Sequence, residues 1–169
     1  LSFGVHRLNS CEFSYVLANR DESMTLTELR AALAQAVATG KLGTPVSARV
    51  HVQLAESECD LPSVLGGVLR MLSPAFDEPP ARIRARKHAS APQWNLLLRT
   101  TTGRTIFITV GCGSRATAAL DLLVVGNHGI VQLQGGDAFE WEPQEEPRPA
   151  WMSQVDEAIA TGREIALTT

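Results

Sequence analysis

Residues 94 to 133 constrain the fold most, because they read as four strands joined in pairs by tight turns. WNLLLRTT (94–101) and RTIFITVG (104–111) flank Thr102-Gly103, and LDLLVV (120–125) and IVQL (130–133) flank Gly126-Asn127-His128-Gly129. Connections this short force antiparallel pairing. Upstream, PVSARVHVQL (45–54) alternates, with Val46, Ala48, Val50, Val52 and Leu54 on one side and Ser47, Arg49, His51 and Gln53 on the other. That is the pattern of a half-buried strand. ARIRARK (81–87) alternates small apolar with basic residues, and EFSYVLA (12–18) reads as a further strand.

Three helices separate or follow these strands. Thr25 and Glu28 have capping-box spacing, Leu26, Leu29, Leu33 and Val37 recur at helical intervals, and Gly40 supplies the stop. A second helix begins at Asp60 as cap with Pro62 in its first turn and runs to about Leu72; Val64, Leu65, Val68, Leu69 and Leu72 form its apolar stripe. Gly66 and Gly67 break its propensity, which implies close packing against the sheet. The third runs from about Ala150 to Thr161 and ends at Gly162. Strands linked by hairpins with helices set apart predict an α+β fold: an open, mainly antiparallel sheet with helices packed on one face.

Length bounds the chain to a single domain, 12–169, preceded by an N-terminal extension at 1–11. The net charge of −3 gives no reason to expect a nucleic-acid partner. No apolar run is long enough to span a membrane, and LSFGVHRLNS lacks a signal layout, so a cytoplasmic location is expected. The three cysteines, Cys11, Cys59 and Cys112, are odd in number and widely spaced, which predicts reduced thiols rather than a disulfide framework. The chain begins at Leu1 without a starting Met, as an excised or processed piece would.

AVATGKLGTPVSARVHV, DLPSVLGGVLRMLSP, the pair LLLRTTTGRTIFITVG and LDLLVVGNHGIVQLQGG, and WMSQVDEAIATGRE occur in that order. Together, over residues 12 to 164, they resemble the C-terminal domain of the Gfo/Idh/MocA oxidoreductases, the family of glucose–fructose oxidoreductase and inositol dehydrogenase. The resemblance implies an NAD(P)-dependent relative whose cofactor lies in a Rossmann half. That half is not in this sequence: no G-x-G-x-x-G follows a strand, and the family's lysine in an E-K-P motif is not found either. The family's helix reads D-x-G-x-H-x-x-D, its His and Asp handling the proton that accompanies hydride transfer. Aligned on Asp60, this sequence has Pro62 for the Gly, Val64 for the His and Gly67 for the Asp. The chain is therefore expected to have no catalytic residue and no cofactor site, with NAD(P) only if a Rossmann partner supplies it.

Arg49, His51 and Asp60 are the candidate residues of a substrate or partner face. His6, His51, His88 and His128 have no metal-ligand spacing, and His128 reads as a turn residue. Arg82, Arg84 and Arg86 share one strand face, as a solvated edge or as a surface for the acidic loop Asp137, Glu140, Glu142, Glu145 and Glu146 of a second subunit. Trp94, Leu96 and Leu98 oppose Asn95, Leu97 and Arg99, and Leu120, Leu122 and Val124 oppose Asp121, Leu123 and Val125, so apolar side chains occur on both faces. Three helices cover one face. The other, carrying Leu97, Leu123 and Val125, is expected to pair in a homodimer or with a related subunit. Two functions follow: the substrate-side and dimerisation half of an oxidoreductase, or a non-catalytic binding module that kept the fold and lost the chemistry.

Overall fold

The computed structural model describes residues 4–7, 14–18, 25–113, 117–135, 139, 141 and 151–167. Its strands are β1 (Gly4–Arg7), β2 (Ser14–Ala18), β3 (Pro45–Ala55), β4 (Pro80–Lys87), β5 (Gln93–Thr100), β6 (Thr105–Gly113), β7 (Ala119–Gly126), β8 (Gly129–Gly135) and β9 (Glu164–Ala166). Its helices are α1 (Leu26–Ala38), α2 (Leu61–Leu72) and α3 (Met152–Thr161). The strands form one sheet in the order β1-β2-β8-β7-β3-β6-β5-β4-β9. The hairpins β5–β6 and β7–β8 are antiparallel as their turns require, while β3 lies parallel to β6 and β2 parallel to β8. The sheet is open and mainly antiparallel.

Local chemistry explains the helix ends. The Thr25 hydroxyl accepts from the Glu28 N–H at 3.2 Å, and the Glu28 carboxylate accepts from the Thr25 N–H at 3.0 Å, which completes the capping box. Asp60 caps α2 by accepting from the Ser63 N–H at 3.2 Å. Gly162 ends α3 at φ 63°, a left-handed conformation that favours glycine.

The core lies between the helices and one face of the sheet. Ala48, Val50, Val52 and Leu54 of β3, Leu96 and Leu98 of β5, Ile106, Ile108 and Val110 of β6, and Leu120, Leu122 and Val124 of β7 are all buried there. Leu29 and Leu33 of α1, Val64, Leu65 and Val68 of α2, and Val155 and Ala158 of α3 close it. Each fully buried Leu or Val contributes about 1.5–3 kcal/mol over an exposed one. The expected alternation fails at Val46, which is 51% exposed. A register shift between Pro45 and Ser47 turns it out of the core.

Two further expectations are corrected. Cys59 and Cys112 are not reduced thiols but form a disulfide. Their sequence separation of 53 residues hid the pairing. Because β3 and β6 run parallel with Leu54 opposite Cys112, the turn that follows β3 brings Cys59 to the end of β6, with 6.1 Å between the Cα atoms. The argument for a reducing compartment, which rested on unpaired thiols, loses that support. Cys11 lies outside the described residues. The second correction concerns the paired glycines. Gly66 has open space where a Cβ would be, whereas a Cβ on Gly67 would lie 3.0 Å from the Trp141 ring and 3.1 Å from Leu26 of α1, not against the sheet.

Candidate functional site

The face of the sheet opposite the helices carries the candidate site. Strand register sets its side chains in rows. Gln132, Leu123, Arg49, Phe107, Leu97 and Arg84 form one row from β8 to β4. Gln134, Asp121, His51, Thr109, Asn95 and Arg86 form the next. A third contains Ile130, Val125, Ser47, Thr105, Arg99 and Arg82. Alternation along each strand puts all of them on the face away from the core.

A cavity of about 350 Å³ opens on this face, lined by Arg49, His51, Asp121, Leu122, Leu123, Gln132 and Gln134. Residues of β7 form its floor, Arg49 and His51 of β3 one wall, and Gln132 and Gln134 of β8 the other. The side chains of Arg49, His51 and Asp121 make no hydrogen bond or ion pair within the chain among the described residues. An arginine, a carboxylate and an imidazole therefore share one cleft with their hydrogen-bonding capacity unused. Phe107, 38% exposed, lies in the next strand, and Leu97 beyond it is half-buried.

The structure thus brings Arg49 and His51 together in one cavity and adds Asp121, Gln132 and Gln134. Asp60 lies elsewhere, as the cap of α2. Leu123 lines the cavity, and Val125 and Leu97 share its face. Asp121 was visible as the polar member of LDLLVV, but nothing local set it opposite His51; only the pairing of β3 with β7 does that. The basic run on β4 is not a bare edge. β9 pairs with it, Arg82 meets Glu164 at 3.0 Å and Arg84 donates to the Gly162 carbonyl at 3.2 Å. Asp137, Glu140, Glu142, Glu145 and Glu146 lie outside the described residues, as does His6's side chain. His88 accepts from the Ser90 N–H at 3.4 Å, and His128 is exposed in its turn.

Val64, at the position the family resemblance gives to a proton-handling His, is fully buried. Gly67, at the corresponding Asp position, is buried beneath Trp141 and Leu26. Among the described residues no group of His, Cys, Asp or Glu could hold a metal ion. No described helix is long and apolar enough to cross a membrane. Pyrophosphate sites use free N–H groups at a helix start, whereas α1 and α2 open on carboxylates, Glu28 and Asp60, already bound to theirs.

No protein-family model and no curated protein sequence matches this chain. Solved structures do. Myo-inositol 2-dehydrogenase from Lactobacillus plantarum superposes with a TM-score of 0.63 at 10% identity, covering 83% of this chain and 62% of the enzyme. The chain has the fold of one part of that dehydrogenase. GenD2 from gentamicin A biosynthesis, in complex with NAD, gives a TM-score of 0.57 at 16% identity, covering 83% of this chain and 60% of its own. Scyllo-inositol dehydrogenase from Lactobacillus casei gives 0.52 at 11% identity, with 62% and 38% covered. The chain therefore spans less than two thirds of each enzyme.

Proposed function

We propose that this chain is the substrate-side and dimerisation domain of a Gfo/Idh/MocA-type oxidoreductase, without redox chemistry of its own. The observation that carries this reading is the two-sided sheet in a dehydrogenase-like fold. Helices seal one face; the other presents Phe107, Leu97, Leu123 and Val125 around a polar cleft. Apolar side chains left uncovered on a mixed sheet face call for a partner, either a second copy or a related subunit. Nicotinamide and the family's lysine would come from a Rossmann-bearing chain. Burial of Val64 and Gly67 favours a second reading, a non-catalytic accessory subunit that kept the fold.

Two measurements test the proposal. Calorimetric titration with NAD+, NADH, NADP+ and NADPH should give no saturable binding tighter than ~100 µM, about −5.5 kcal/mol. Saturable binding below that limit overturns the absence of a cofactor site. Light scattering coupled to size exclusion should give twice the chain mass at tens of micromolar; a strict monomer overturns the dimer.

A further inference from the structure

We propose that Arg49 and Asp121 pair reciprocally between two copies of this chain, making the centre of the open sheet face self-complementary in charge. The inference rests on the sheet-face dimer proposed above and names what sets the register of that contact. Asp121 is the one carboxylate on the open face of β3 to β8, and its side chain has no partner within the chain among the described residues. Arg49 shares its cavity, equally unpartnered. The two do not pair with each other: Arg49 stands opposite Leu123 and Asp121 opposite His51, so they lie on a diagonal. Of the other arginines on this face, Arg82 and Arg84 are engaged by Glu164 and the Gly162 carbonyl, and Arg86 and Arg99 stand on β4 and β5, strands away from Asp121 on β7.

Two sheets meeting face to face about a two-fold axis require that axis to lie in the interface. An axis crossing the Arg49–Asp121 diagonal sets each Arg49 against the other copy's Asp121, because in an isologous contact residue i meets j and j meets i. That axis also passes near the centre of the sheet, since β3 is the middle strand of the order. A central axis gives the greatest overlap of the two faces and brings Leu123 and Phe107 inside the contact. Charges at such a contact fix register and reject misaligned partners more than they add affinity.

Charge reversal tests this on the full chain. Arg49→Glu and Asp121→Arg should each weaken the homodimer at least ~10-fold by sedimentation equilibrium, through like-charge contacts. An equimolar mixture of the two variants should recover association as a heterodimer visible by native mass spectrometry. The double variant should recover it as a homodimer. Circular dichroism and melting temperature establish that each variant is folded; should one fail, Arg49→Gln or Asp121→Asn gives a smaller loss of the same sign. If wild type dimerises but the single variants associate as tightly, or the mixture does not recover, the reciprocal pair is wrong and the sheet dimer stands. If wild type is monomeric, the dimer reading fails and this inference with it.

Discussion

Glu78 sits beneath the turn joining β5 to β6. It accepts from the Thr101 hydroxyl at 2.8 Å, the Thr102 hydroxyl at 2.9 Å and the Thr102 N–H at 3.2 Å. The Thr101 hydrogen bond is the largest cause holding its carboxyl below the ordinary value of 4.5; partial desolvation opposes it, and the Thr102 bonds and the Arg104 charge assist. A carboxylate with a depressed folded pKa contributes stability above its unfolded pKa and loses it as pH falls through the folded one. Glu78→Gln should therefore be less stable than wild type near neutrality, and the gap should shrink as pH falls through and below the ordinary carboxylate value of 4.5. A gap independent of pH in chemical denaturation would show that the charge is not the cause. The two glycines of α2 make a second contrast at this scale. Gly66 has free space, so Gly66→Ala should gain helix propensity of about 0.5–1 kcal/mol. Gly67→Ala gains the same propensity but pushes its Cβ against the Trp141 ring and Leu26, so it should fall below Gly66→Ala by about 1–3 kcal/mol. Equal stability of the two variants would refute close packing at Gly67.

Elements were legible where local chemistry dictates them. The capping box at Thr25, the Asp60 cap, Gly162 and the two hairpins act over a few residues, and each element stands within a residue or two of its sequence signal. Strands β1 and β9 carried no signal because their three or four residues are defined by the strands they pair with. The parallel pairs β2–β8 and β3–β6 are likewise non-local, and the site depends on them. Arg49 and His51 could be assigned to one face by alternation, but their neighbours across β7 and β8 could not. The Cys59–Cys112 bond belongs to the same class, since it staples the turn after β3 to the end of β6. It closes a loop of 53 residues, so Cys59→Ser should cost about 2–4 kcal/mol. Chemical denaturation with and without reductant measures it. Wild type should lose comparable stability on reduction while Cys59→Ser does not respond; equal loss in both would place the effect elsewhere.

At the scale of the whole molecule, the sheet has one face built for helices and another whose composition falls between core and surface. Leu122 and Leu123 are consecutive in β7, yet Leu122 is fully buried and Leu123 is half-exposed in the cleft. The same holds for Leu96 and Leu97 in β5. A monomer with a wet face would be expected to place polar residues at Leu97, Phe107, Leu123 and Val125. If that face is an interface, a charge on it is tolerated by the folded chain and rejected by the contact. Leu123→Glu and Leu97→Glu should each keep the fold but weaken association more than ~10-fold, because an unpaired carboxylate is desolvated at the contact. Leu122→Glu, aimed into the core, should instead abolish cooperative folding. Thr27→Glu adds the same charge on the exposed side of α1 and should leave association unchanged. Sedimentation equilibrium with a melting curve for each variant separates these outcomes. Folded Leu97→Glu and Leu123→Glu variants with wild-type association would remove this face from the interface, whereas equal weakening in Thr27→Glu would trace the effect to net charge.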